Sequence, residues 1–92
     1  IDVNARCSEC YYSLALAFYK LDEPVAAVKA ADAAAMLRPN EAPIRLLQGM
    51  AHRAGNDMAG AEKALLIAKT LYKDPNPEVH WQLSLVYNRV KK

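Results

Sequence analysis

Three places in this 92-residue sequence carry side chains that could do chemistry: Cys7-Ser8-Glu9-Cys10, His52 and His80. A C-x-x-C reads as a redox pair or as half of a metal site. Thiols at a helix start have lowered pKa values, which favours the reactive thiolate. A structural zinc needs four ligands, and the order of segments does not bring His52 or His80 to Cys7 and Cys10. The βαβ surroundings of a thioredoxin-type pair are missing as well. No carboxylate pair stands at helical spacing from either histidine, so neither is expected to serve as a base or a ligand. Gly49, Gly55 and Gly60 are scattered and form no phosphate-binding loop. No serine sits in a nucleophile elbow. The expectation is a protein that is not an enzyme, with no catalytic residues, no bound metal and no cofactor.

The elements that carry these residues are helical. The chain is 53% hydrophobic, which excludes a disordered tail. Alanine, the best helix former, supplies much of that figure. Only three glycines occur, and no Asn-Gly or Gly-Gly marks a hairpin. Twelve Lys and Arg against ten Asp and Glu give a net charge of +2 with the signs mixed, too weak for a nucleic-acid footprint. Arg89, Lys91 and Lys92 suit the end of a helix, where cations complement the dipole. No stretch approaches the ~18 apolar residues that span a bilayer, and no signal peptide is visible. The chain begins at Ile1, not at Met, so a fragment of a longer protein is expected.

Proline and Asn/Asp punctuate the sequence at Asp22-Glu23-Pro24, Pro39-Asn40, Gly55-Asn56-Asp57 and Asp74-Pro75-Asn76-Pro77. Each cluster combines a helix stop with a helix start. Taking Asn40 as a cap places Pro43 in a first turn, where it is tolerated. Five helices are predicted, near 7–21, 24–38, 41–54, 58–73 and 77–91. Their short connections make consecutive helices antiparallel.

These segments repeat. Ala15, Ala27, Ala34 and Leu37 are followed 34 residues later by Gly49, Ala61, Ala68 and Leu71. Leu14, Leu16, Phe18 and Lys20 correspond, 69 residues on, to Leu83, Leu85, Tyr87 and Arg89. A helix–turn–helix period of 34 residues resembles the tetratricopeptide repeat family. Repeat 1, about 8–41, has Tyr11, Leu14, Ala15, Phe18, Ala27, Ala34 and Pro39 at the family's motif positions. Repeat 2, about 42–75, keeps Gly49, Ala61, Ala68 and Leu71 but departs from the motif with Arg45, Gln48 and His52. Residues 77–92 supply only a first helix, and 1–6 resemble the tail of a preceding repeat. The resemblance implies one all-α domain over 1–92, an α-solenoid of antiparallel helix pairs in which small residues permit close approach and neighbouring repeats bury each other's apolar faces.

The resemblance also implies a function. In this family the first helix of each repeat lines a concave groove. Carried over, the groove residues are Tyr12, Leu16, Leu46, Leu47, Met50, Trp81 and Leu85, with Arg53 and Arg89 at the rim. The expected role is a scaffold that binds an apolar or amphipathic segment of a protein partner. Positions 12, 16, 47, 78 and 82 hold Tyr, Leu, Leu, Glu and Gln. They lack the Lys/Asn/Arg clamp with which some members hold chaperone tails. The alternative function is a redox- or metal-responsive helical domain acting through Cys7 and Cys10. A last helix presenting Leu83, Val86, Tyr87 and Val90 without cover is expected to cause weak homo-oligomerisation.

Overall fold

The computed structural model describes residues 7–91, with side chains through Arg89. The repeat tail assigned to 1–6 lies outside them. Five helices follow in order: α1 (Ser8–Lys20), α2 (Pro24–Leu37), α3 (Ala42–Ala54), α4 (Met58–Leu71) and α5 (Pro77–Lys91). No strand occurs among the described residues, and no helix there is long and apolar enough to cross a membrane.

The helix starts follow cap chemistry. The Asp57 carboxylate accepts from the Gly60 N–H at 3.0 Å and opens α4. Asn76 Oδ1 accepts from the N–H groups of Glu78 at 2.8 Å and Val79 at 3.4 Å at the start of α5. Proline in the first turn starts α2 and α3, where a missing N–H costs nothing. Asn40 is not the cap of α3. Glu41 holds that position without a side-chain bond, and Pro43 still falls in the first turn.

The helix ends repeat one device. Asp22 and Asn56 are left-handed, with φ of 63° and 70°. Their short polar side chains tolerate this conformation better than most. Glu23 N–H donates to Phe18 O at 2.9 Å and Asp22 N–H to Tyr19 O at 3.1 Å. The matching bonds run from Asp57 to His52 at 2.8 Å and from Asn56 to Arg53 at 2.9 Å. Both are Schellman-type ends, which satisfy the last carbonyls of α1 and α3. The left-handed residue in the second turn is Asn56; Gly55 before it has φ −86°.

Burial recurs in the same period. Ala27, Ala30, Ala31 and Ala34 of α2 are buried, and so are Ala61, Ala64, Leu65 and Ala68 of α4. Buried Ala15 and Gly49 lie opposite them on α1 and α3. A Cβ built on Gly49 would stand 2.5 Å from Leu65 Cγ and 3.2 Å from Ala61 O, so only glycine allows this approach. Consecutive helices all pack together. In addition α3 touches both α1 and α5, so the odd-numbered helices form a continuous row. The molecule measures 41 × 29 × 18 Å. Its thinnest dimension is close to two helix diameters.

The last helix differs from the sequence expectation. Leu83 and Val86 are buried against Ala61, Leu65 and Ala68 of α4. They are covered by the helix before α5, so they do not form a bare end. Trp81 and Tyr87 remain exposed on α5, at 59% and 43%. The side chain of Val90 lies outside the described residues. Leu14, expected to fill space between helices, is 43% exposed. It corresponds to Leu83, but no described helix precedes α1 to cover it.

Candidate functional site

Arg53 joins the odd-numbered helices. Its Nε donates to Gln82 Oε1 on α5 at 2.8 Å, and its Nη2 to the Tyr19 hydroxyl on α1 at 3.4 Å. Gln82 is buried, unusually for an amide. Its own Nε2 donates to Glu78 Oε2 one turn earlier, at 2.9 Å. That bond orients the amide so that its oxygen faces Arg53. Three helices are thus cross-linked through one guanidinium whose direct partners are neutral.

Beside this junction lies an open cavity of about 420 Å³, lined by Arg53, Leu85, Asn88 and Arg89. Arg89 Nη2 donates to Asn56 Oδ1 at 2.9 Å, which ties the side chain to the turn after α3. Neither arginine forms an ion pair among the described residues. The arrangement offers two positioned cations, an apolar leucine surface and an amide.

The other groove candidates fall elsewhere. Tyr12 and Leu16 are half-buried against the core of α1, α2 and α3, and Leu46 against that of α4 and α5. Leu47 is 3% exposed and belongs to the core, so its side chain supports the wall from behind. Met50 is half-buried. Tyr12 also lines a separate cavity of about 360 Å³ with Glu9, Arg38, Glu41 and Ile44. The structure therefore gathers Arg53, Leu85 and Arg89 into one site and leaves Tyr12 at another.

A second polar cluster was not legible from spacing. Arg45 donates to Gln48 at 3.0 Å, and Gln48 to Asp32 Oδ1 at 2.9 Å. His52 places Nε2 3.2 Å from Asp32 Oδ1 and Nδ1 2.9 Å from Asp57 Oδ2. The histidine thus has two carboxylates beside it, contrary to the sequence expectation. One comes from α2 and the other from the turn after α3, so neither shows at helical spacing. Arg45, Gln48 and His52 replace large apolar residues, and Asp32 stands alone among alanines; that mismatch was the available signal. Both ring nitrogens are occupied by carboxylates, which leaves none for a substrate. The cluster clasps α2 and α3 to the start of α4. Among the described residues, no group of His, Cys, Asp and Glu is arranged to hold a metal.

Asp57 is the acid-sensitive member of this clasp. The Gly60 N–H, then the His52 bond, hold its carboxyl below the usual carboxylate range. A lowered folded-state pKa stabilises above the unfolded value and is lost as pH falls through the folded one. Thermal unfolding should therefore show part of the stability disappearing below about pH 4. Asp57→Ala should cost about 1 kcal/mol at neutral pH, the worth of an N-cap, and remove that part of the acid dependence. Equal slopes for both proteins in acid would contradict the assignment.

Cys7 and Cys10 are joined by a disulfide. Cys7 Sγ also accepts from the Cys10 N–H at 3.1 Å and caps α1. No protein-family model matches this chain, and no curated protein matches it significantly.

Proposed function

We propose that this chain is a tetratricopeptide-type helical-repeat module that binds a peptide segment of a protein partner along α1, α3 and α5. The observation that carries the reading is the Arg53 junction. It fixes three helices of one row around a cavity whose cations have no acidic partner. Support for the solenoid comes from buried positions and left-handed turns that recur at a 34-residue offset. Rigid helices carrying partly exposed side chains suit recognition of an extended or helical segment.

The test is selection of binders from a displayed peptide library, followed by mapping on a ¹⁵N-labelled protein. Shifts confined to Tyr19, Arg53, Leu85 and Asn88 and their neighbours are expected. Peptides that map to α2 and α4 instead would refute the proposal.

The disulfide gives the alternative, a redox-responsive domain, its chemical basis. Yet the bridge encloses only the first turn of α1 and ties no two elements together. Loop-closure entropy for so short a loop stabilises by about 2 kcal/mol at most. Cys7→Ser with Cys10→Ser should keep the helical circular dichroism spectrum and the binding of selected peptides. Loss of either would favour the redox reading.

A further inference from the structure

We infer that the segment held beside α3 and α5 is acidic, with an Asp or Glu carboxylate received between Arg53 and Arg89 and an apolar neighbour set on Leu85. The inference rests on the module reading above and adds the chemistry of the occupant.

The first ground is charge. Arg53 is half-buried, and its guanidinium is held by an amide oxygen and a hydroxyl, neither of which neutralises it. The one carboxylate in this chain of bonds, Glu78, accepts from Gln82 and does not reach Arg53 within ion-pair distance. Arg89 is likewise held by the neutral Asn56. Elsewhere in the molecule a cation has found its acid: Arg38 lies 3.9 Å from Glu41.

The second ground is preorganisation. Arg53 spends Nε and Nη2 on Gln82 and Tyr19, which leaves Nη1 unspent. Arg89 spends Nη2 and keeps Nε and Nη1. Side chains already fixed lose little entropy when they accept a ligand, and guanidinium–carboxylate hydrogen bonds are among the stronger polar contacts. The third ground is size. A cavity of about 420 Å³ falls within the range of ligand sites and exceeds the need of one carboxylate, so the adjoining residue of the segment enters too. Leu85 makes that residue apolar.

The probes are a short fluorescein-labelled peptide rich in Glu and Leu and its twin with every Glu replaced by Gln. They are measured by anisotropy beside the library-selected peptides. The acidic probe should bind and shift the Nε–H signals of Arg53 and Arg89, and its affinity should fall as salt rises. The Gln twin should bind about tenfold more weakly or worse. Arg89→Gln should weaken the acidic probe about tenfold without touching the helical junction. Arg53→Gln should do the same, checked by circular dichroism because it removes two interhelical bonds, while Arg53→Lys should restore part of the affinity. Selected peptides that map to α1, α3 and α5 but ignore both arginine variants would overturn the acidic occupant and leave the module standing. Peptides that map only to α2 and α4, or no binders at all, would bring down the module reading itself.

Discussion

Gly49→Ala should destabilise this protein, and adding Leu65→Ala should recover part of the loss. The physical reason is a swap of sizes across one helix contact. Where α1 meets α2, Ala15 lies opposite Ala31; where α3 meets α4, Gly49 lies opposite Leu65 at the corresponding positions. Small-plus-small and smaller-plus-large fill similar gaps. A methyl on Gly49 would run into Leu65 Cγ at 2.5 Å, and Leu65 is fully buried with no room to withdraw. Overpacking of this kind costs about 1–3 kcal/mol. The helix-propensity gain of alanine over glycine, about 1 kcal/mol, offsets only part of it. Leu65→Ala alone opens a cavity and should cost about 2–5 kcal/mol. The double variant recreates the Ala15–Ala31 pairing, so its loss should fall short of the sum by about 1–2 kcal/mol. Chemical denaturation of the four proteins measures this directly, and strict additivity would show that the two contacts are not equivalent.

That same comparison explains what could be read from the sequence. Helices and their caps depend on neighbours along the chain, so Pro24, Asp57 and Asn76 announced three starts correctly. The buried alanines also follow from a helical period and a repeat. Burial of large side chains depended on what lies across the gap. Leu14 and Leu83 occupy equivalent positions, yet only Leu83 has a preceding helix to cover it. Leu47 sits one residue from Leu46, about 100° around the helix, and this small angle separates the core from the outer wall. The Asp32–His52–Asp57 row joins two helices and a turn, and no spacing rule along one helix could have found it. The Arg53 junction was half legible. The repeat placed Tyr19, Arg53 and Gln82 on one face, but only the fold supplied their bonds.

Trp81→Ala and Leu83→Ala should separate binding from folding on a single helix. The two residues lie two apart on α5 and face different ways. Trp81 is 59% exposed and Leu83 only 6%. Truncating the indole removes little buried area, so the melting temperature should stay within a few degrees of the parent. Leu83 packs beside Leu65, Ala68 and Val86. Its truncation should cost about 2–4 kcal/mol of stability. Binding should respond in reverse. Trp81 stands one turn before Leu85 on the same helical face, adjoining the cavity with Arg53 and Arg89. Large exposed aromatic side chains next to a charged site are the type that anchors partner segments, and removing one should weaken selected peptides by ~2 kcal/mol or more. The folded fraction of Leu83→Ala should bind almost as the parent does. Tyr12 and Leu46, the counterparts of Trp81 in the earlier helices, are half-buried against neighbouring helices. The indole thus occupies a position that elsewhere in the chain is spent on packing. If Trp81→Ala keeps full affinity, that packing role is its only one, and recognition is confined to the cavity between Arg53, Leu85 and Arg89.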